Sequence, residues 1–335
     1  MTEGVVLAAL VASTVALVAT NAAERVSRGR GLLDVPNSRS SHVTPTPRIG
    51  GIGIVAGVAA AWILVGGWET HGGIALLASS ALLAVVGLAD DLGHTSLIGK
   101  YLAQLVSSAV VILVMQPTLA IEVETAALTI DGITALVIST LWLTAVINAF
   151  NFIDGIDGML ASLVVVIGIV GASIASPGAD ENLVAVAAAC LGFLVWNHAP
   201  ATIFMGDVGS QFLGLWVGAS VLGAAGGTAS VIPIVILFGI VLFDTGLTLV
   251  RRSREGKNLF AAHREHLYQR LVTSGVSHRT VTAAYAGVTA ALGALALTWS
   301  AQPLPMQLAV VVLLAIAGWL LVAWVRRAEA GAPER

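Results

Sequence analysis

Residues 131–160, DGITALVISTLWLTAVINAFNFIDGIDGML, join two kinds of chemistry end to end. From about 133 to 150 the run is apolar and uncharged, and as a helix rising 1.5 Å per residue it reaches about 27 Å. That nearly matches the hydrocarbon core of a bilayer, roughly 30 Å thick. Four polar residues then follow at intervals of three: Asn148, Asn151, Asp154 and Asp157. On a continuing helix the first three share one face, and Gly155 lets the chain turn before Asp157. Carboxylates at a membrane edge are costly unless they face water, a cation or a partner.

Outward from this stretch the pattern repeats. The chain has 335 residues, 57% hydrophobic and only 10% charged, with a mean hydropathy of +0.92, whereas a soluble domain carries about 25% charged residues. Apolar runs fall at about 4–23, 50–68, 72–89, 99–115, 133–150, 159–176, 183–197, 210–228, 230–250, 280–300 and 305–325. The first holds Glu3 and neither Lys nor Arg, so it reads as a span and not as a cleaved signal peptide. The expectation is an all-α polytopic membrane protein of about eleven transmembrane helices, forming a single catalytic domain over 1–335. Segment 117–132, rich in β-branched residues, predicts a short hairpin. The lone Cys190 excludes an intramolecular disulfide and reads as a buried or lipid-facing residue. The glycines of GGIGIVAG (50–57) predict close helix packing.

With these spans, every one of the sixteen Lys and Arg residues falls on one face. Arg25, Arg28, Arg30, Arg39 and Arg48 lie in the first inner loop, Lys100 after span three, and Arg251 to Arg279 around the longest loop. Arg326, Arg327 and Arg335 close the chain. The positive-inside rule makes that face cytoplasmic, with the N-terminus outside and the C-terminus inside. The expected inner loops are about 24–49, 90–98, 151–158, 198–209 and 251–279. The other face carries Glu3, Glu69, Glu122, Glu124, Asp131, Asp180 and Glu181 without a basic residue.

The informative polar residues sit on the basic face: Asp90 and Asp91, Asp154 and Asp157, Asp207, and Asp244 within span nine. One such residue could simply cap a helix; six on one face point to a site. Aspartate and asparagine oxygens without nearby His or Cys suit a hard cation, above all Mg²⁺. In GDVGS (206–210), Asp207 is positioned to hold such a metal. Gly206 and Gly209 would let a phosphate approach, and the amides opening span eight favour an anion. Phe204 reads either as an interface anchor or as a stacking face for a nucleobase. Arg251 and Arg252 read either as membrane anchors or as a phosphate clamp. His263 and His266, flanking Arg264 and Glu265 in HREH, lack the further ligands that zinc requires and read as a phosphate-facing patch or acid, or as a solvated loop helix.

DVPNSRSSHVTPTPRIGG (34–51), DD (90–91), NAFNFIDGIDG (148–158), FMGDVGS (204–210) and the late His-x-x-His loop occur in that order. Together they resemble the polyprenyl-phosphate N-acetylhexosamine-1-phosphate transferases. HREH stands where muramoyl-pentapeptide transferases typically carry three histidines, and PNSRSSH with AHREHLYQRL looks most like the O-antigen-initiating branch. The resemblance implies transfer of a sugar-1-phosphate from a UDP-N-acetylhexosamine to undecaprenyl phosphate, with release of UMP, at the cytoplasmic face of the bacterial inner membrane. It implies Mg²⁺, or Mn²⁺ in its place, on Asp207 with Asn151. Asp90 and Asp91 would meet the lipid phosphate, and Lys100 would neutralise phosphate charge. Asp154, Asp157 and Asn148 would line the nucleotide side, with Phe204 stacking on uracil. His263, Arg264 and His266 would contact sugar or diphosphate, with Arg251 and Arg252 nearby. A homodimer is implied, and no nucleic acid.

Overall fold

Helices stand at every one of those spans in the computed structural model, which describes residues 3–36, 44–123, 126–174, 180–223, 227–259, 261, 263–299 and 302–331. They are α1 (Glu3–Arg30), α2 (Gly51–Leu64), α3 (His71–Asp91), α4 (Leu97–Met115), α5 (Gly132–Ile153), α6 (Met159–Ile174), α7 (Asp180–Asn197) and α8 (Gly206–Ser220). After them come α9 (Val231–Leu237), α10 (Gly239–Arg254), α11 (Leu267–Thr273), α12 (His278–Thr298) and α13 (Leu304–Ala330). Among the described residues, α1, α3, α4, α5, α12 and α13 are each long and apolar enough to cross a membrane. A seventh crossing is made if α9 and α10, bent by 75° at their junction, form one broken span. The remaining apolar helices are shorter, so length and composition by themselves carry six or seven of the expected crossings.

Burial confirms the solvent. On α4, Gln104, Ser107, Ser108 and Val111 are buried, while Leu102, Val106 and Leu113 are more than half exposed. The outward face is apolar and the inward face partly polar, the arrangement that lipid demands. The expected glycine seam is present. A side chain at Gly53 or Gly57 would strike the backbone of α1, and one at Gly51 would strike Gly209 of α8. This lets α2 lie directly on both helices.

Helix ends are set by local chemistry. Thr70 caps α3 by accepting from the Gly73 amide (3.0 Å), and Ser96 caps α4 through Gly99 (3.1 Å). Gly93, at φ 77°, stops α3 directly after the aspartate pair. His94 N–H returns to Ala89 (2.8 Å) and Gly93 N–H to Asp90 (2.8 Å), a Schellman closure that needs the left-handed glycine.

Among the described residues, five short strands accompany the helices. β1 (Leu33–Asp34) pairs antiparallel with β2 (Thr46–Pro47). The expected hairpin forms between β3 (Thr118–Val123) and β4 (Ala126–Ile130). β5 (Thr228–Ser230), which sequence reading had joined to the ends of two spans, pairs parallel with β3. Two other boundaries move. α1 continues through Arg25, Arg28 and Arg30, and the long inner loop contains α11. Residues 37–43 of the first inner motif, with Arg39, lie outside the described residues.

Candidate active site

Asp207, in the first turn of α8, collects groups from four helices. The Lys100 ammonium is in contact with its carboxylate and also lies 3.1 Å from Asp90. Asn151 Nδ2 donates to Asp207 Oδ1 (2.8 Å) and to Ser210 Oγ (3.0 Å). A relay of amides, with Gln104 and Gln211 fully buried, backs this cluster. Asn148 Nδ2 donates to Gln104 Oε1 (2.8 Å), Gln104 Nε2 to Gln211 Oε1 (3.3 Å), and Gln211 Nε2 to Asp207 Oδ2 (3.4 Å). Each donor points toward Asp207, so the relay favours its charged form.

Asp90 and Asp91 are adjacent in sequence but differ in task. Asp91 has a fully buried side chain that accepts from the amides of Asp207 (3.0 Å) and Val208 (3.1 Å). It therefore occupies the anion position that opens α8. Arg48 donates to the same carboxylate through Nε (3.1 Å) and Nη2 (2.9 Å). Asp90, 29% exposed, is held by Lys100 at 3.1 Å and by a side-chain hydrogen bond with Asp207. Gly206 and Gly209 serve packing and do not provide the phosphate approach expected of them. A side chain at Gly206 would meet Arg48 and Asp91, and one at Gly209 would meet Met205 and Gly51. The segment before α8 is itself fixed to the first inner motif. Phe204 N–H donates to Pro47 (2.7 Å), Gly50 N–H to Phe204 (2.9 Å), and Gly51 N–H to Met205 (2.8 Å).

Asp154 ends α5. Burial, aided by the nearby Asp207 and Asp91 carboxylates, pushes its pKa up to about 8. A carboxylate raised in the folded state favours folding at low pH, and that advantage is lost as pH rises toward about 8. Asp154→Asn, which cannot ionise, is therefore expected to raise thermal stability in EDTA more at pH 8 than at pH 5. An equal gain at both values would contradict this. Asp157 is placed differently, at the α12 end. Ala201 N–H donates to its Oδ2 (3.1 Å), His278 Nδ1 lies 3.3 Å away, and Thr282 donates to its carbonyl (3.0 Å).

The HREH segment reaches the site through a buried anchor. Asp244, fully buried, accepts from the amides of Leu267 (2.8 Å) and Tyr268 (3.2 Å) and from the Tyr285 hydroxyl (2.6 Å), and lies 3.2 Å from His266 Nδ1. It thus caps α11 and fixes the His266 ring. That ring stacks on His263 (5.0 Å) and lies tilted against Phe152 (5.6 Å), while among the described residues its buried Nε2 has no hydrogen-bond partner. Tyr268 Oη donates to the Phe152 carbonyl (2.8 Å), tying α11 to the end of α5. Arg251 and Arg252 both serve Glu265. Arg251 donates to its carbonyl (2.7 Å) and Arg252 to its carboxylate (2.6 Å). Arg264 lies between, half-buried. Burial, with His266 and Arg252 adding to it, pushes the His263 pKa down to about 4, so at neutral pH this imidazole is uncharged.

Arg48, Gln104, Ser210 and Gln211 belong to the cluster although sequence reading did not single them out. Gln104 lies one helical turn after Lys100, and Gln211 one turn after Asp207. An amide in an apolar run, one turn from a candidate site residue, is the signal that finds them.

Can these groups hold a divalent cation? Among the described residues, three carboxylates, Asp90, Asp91 and Asp207, are paired with two cations, Arg48 and Lys100. Lys100 already sits as a cation between two of them. No three His, Cys, Asp or Glu side chains gather tightly enough to enclose a metal among the described residues. An oxygen-rich, negatively charged cluster without an all-protein cage fits Mg²⁺, which takes one or two carboxylates and leaves positions for water and phosphate.

Residues 73–225, covering α3 to α8, match the family described as glycosyl transferase family 4. The chain is 32% identical over 290 residues to a probable undecaprenyl-phosphate N-acetylglucosaminyl 1-phosphate transferase of Bacillus subtilis, covering 82% of this chain and 79% of that one. It is 30% identical over 318 residues to the decaprenyl-phosphate N-acetylglucosaminephosphotransferase of Mycobacterium tuberculosis, covering 82% and 77%. Against the undecaprenyl-phosphate alpha-N-acetylglucosaminyl 1-phosphate transferase of Escherichia coli K12 the identity is 26% over 272 residues, covering 77% and 73%.

Proposed function

Since the chain belongs to the polyprenyl-phosphate N-acetylhexosamine-1-phosphate transferases of glycosyl transferase family 4, we propose that it moves N-acetylhexosamine-1-phosphate from a UDP-sugar to undecaprenyl phosphate. The lipid phosphate oxygen attacks the sugar-bearing phosphorus, the anhydride bond to the uridine phosphate breaks, and UMP leaves. One phosphoanhydride is exchanged for another, so the reaction is close to reversible. The relatives' names make UDP-N-acetylglucosamine the first donor to test. The product would be the first lipid-linked intermediate of a surface polysaccharide such as O-antigen. In this reading the chain crosses the inner membrane eleven times, N-terminus outside, with the site at the cytoplasmic face and a homodimer as its assembly.

The observation that carries the proposal is the convergence on Asp207 of Lys100, Asn151 and the Asp91-capped end of α8. Phosphoryl transfer asks chiefly for positioning and neutralisation of charge. Asp207 with Asn151 would hold Mg²⁺, which when bound supplies charge neutralisation to the diphosphate. Lys100 stands where it can move from carboxylate to phosphate. Asp90, the more exposed of its pair, is the one free to face the acceptor, while Asp91 is a positioning residue. The His266 Nε2, buried without a partner among the described residues, awaits a polar group of the donor.

Purified full-length protein with undecaprenyl phosphate, Mg²⁺ and UDP-N-acetylglucosamine should release UMP, and EDTA should stop it. UDP-N-acetylfucosamine and UDP-N-acetylquinovosamine run beside it identify the donor. UMP release that needs neither lipid nor divalent cation would overturn the reading.

A further inference from the structure

Two cavities lie between α10 and α13, one above the other. The deeper, of about 550 Å³, is apolar, with the Phe243 ring packed against Gly318 in its lining and Tyr285 of α12 in its wall. The shallower, of about 470 Å³, has Leu247, Val250 and Val322 as its apolar lining. Its rim carries Arg251, Arg254, Arg270 and Arg326, from three helices. Following α10 from 243 to 254 and α13 from 318 to 326 leads in both cases from the first cavity to the second.

The charges at the rim are unequal in their commitments. Arg251 is bonded to Glu265 and Arg270 to Glu329 (2.7 Å), while Glu255, also on the rim, is bonded to Lys257 (2.7 Å). Among the described residues neither Arg254 nor Arg326 lies within ion-pair distance of a carboxylate, and both are exposed. The rim therefore carries two surplus positive charges above a hydrocarbon-lined slot. Such a slot matches an amphiphile with an anionic head and an alkyl chain.

We propose that this crevice binds an anionic membrane phospholipid, its headgroup phosphate on Arg254 and Arg326 and one acyl chain along Phe243 and Gly318. The crevice is separate from the Asp207 cluster: none of its lining residues is among the partners of Asp90, Asp91, Lys100, Asn151 or Asp207 described above. It does touch the support of the HREH segment. Leu267 and Arg270 of α11 line the rim, and Tyr285, in the wall below, donates to the Asp244 carboxylate that caps α11. A bound lipid thus braces from behind the helix whose N-terminal residue is His266. The inference does not depend on the sugar donor or on the metal.

Full-length protein in uncharged detergent, titrated with dioleoyl phosphatidylglycerol or dioleoyl phosphatidylcholine and read by native mass spectrometry, tests it. One phosphatidylglycerol is expected to bind in preference to phosphatidylcholine. Arg254→Gln with Arg326→Gln should weaken that binding about tenfold, and Val322→Trp, which fills the slot without altering charge, should abolish it. Arg25→Gln with Arg30→Gln, on α1, should leave it unchanged. Hydrogen exchange over 263–273 should slow with phosphatidylglycerol in the wild type but not in the arginine variant. Equal binding of the two lipids, or equal loss in the α1 control, would overturn the proposal in favour of a diffuse cationic face. One-for-one displacement by undecaprenyl phosphate would overturn it in favour of the acceptor.

Discussion

Asp207→Asn should lower UMP release at least about 10³-fold while leaving the protein folded, a loss of the size seen when one preorganised electrostatic group is removed from a transition state. The fold should survive because the amide keeps most of the neutral contacts. Its oxygen still accepts from Asn151, which donates at 2.8 Å in the native site, and Lys100 retains Asp90. The cost to stability is then that of a weakened hydrogen bond, about 1 kcal/mol. What disappears is the negative charge that the amide relay from Asn148 through Gln104 and Gln211 is oriented to support. Turnover across a Mg²⁺ titration, with thermal denaturation on the same samples, checks both halves. Turnover within tenfold of wild type would remove Asp207 from the centre of the site.

Asp91→Ala should be costly in a different currency, losing both stability and turnover. It would strip the acceptor from two amides of α8 and leave Arg48 without its partner. Breaking a buried ion pair costs about 3–5 kcal/mol. Arg48 is 37% exposed, and the water reaching it lowers the expectation to about 2–4 kcal/mol. Because one of the stranded amides belongs to Asp207 itself, the metal-side carboxylate should lose its placement, and turnover should fall at least about 10²-fold. Asp91→Asn keeps one acceptor oxygen and should recover part of both losses. Equal stability of the Ala variant and the wild type in urea or heat would show that Asp91 does not hold α8.

Much of this was legible in the sequence because lipid imposes a coarse rule: apolar runs of sufficient length become helices, and the polar residues between them mark the ends. That rule located the helices and brought Asp90, Lys100, Asn151 and Asp207 to one cluster. It could not separate Asp90 from Asp91. Neighbours on a helix point about 100° apart, and only the packing of α3 against α8, allowed by Gly87, decides which one is buried. Hydropathy also averaged away the 75° bend between α9 and α10, because both sides of it are apolar. Gly206 and Gly209 misled for a related reason. A glycine reports that something comes close, and here the approaching groups are Arg48, Asp91, Met205 and Gly51, not a phosphate. Asp244 acts on residues 23 and 24 positions away, a distance no local pattern spans.

The three-stranded sheet β4-β3-β5 is completed late in synthesis. β3 meets β4 across the two residues between them, but its parallel partner β5 lies 110 residues later, Thr118 facing Thr228. At a ribosomal rate of about 5–20 residues per second, the hairpin waits roughly 6–20 s before its third strand arrives. Until then the free edge of β3 is open to other chains. Glu122, which ends up beside Ser230 (3.3 Å), places a charge on that waiting strand. A charge on an open strand edge disfavours pairing with other copies of the chain.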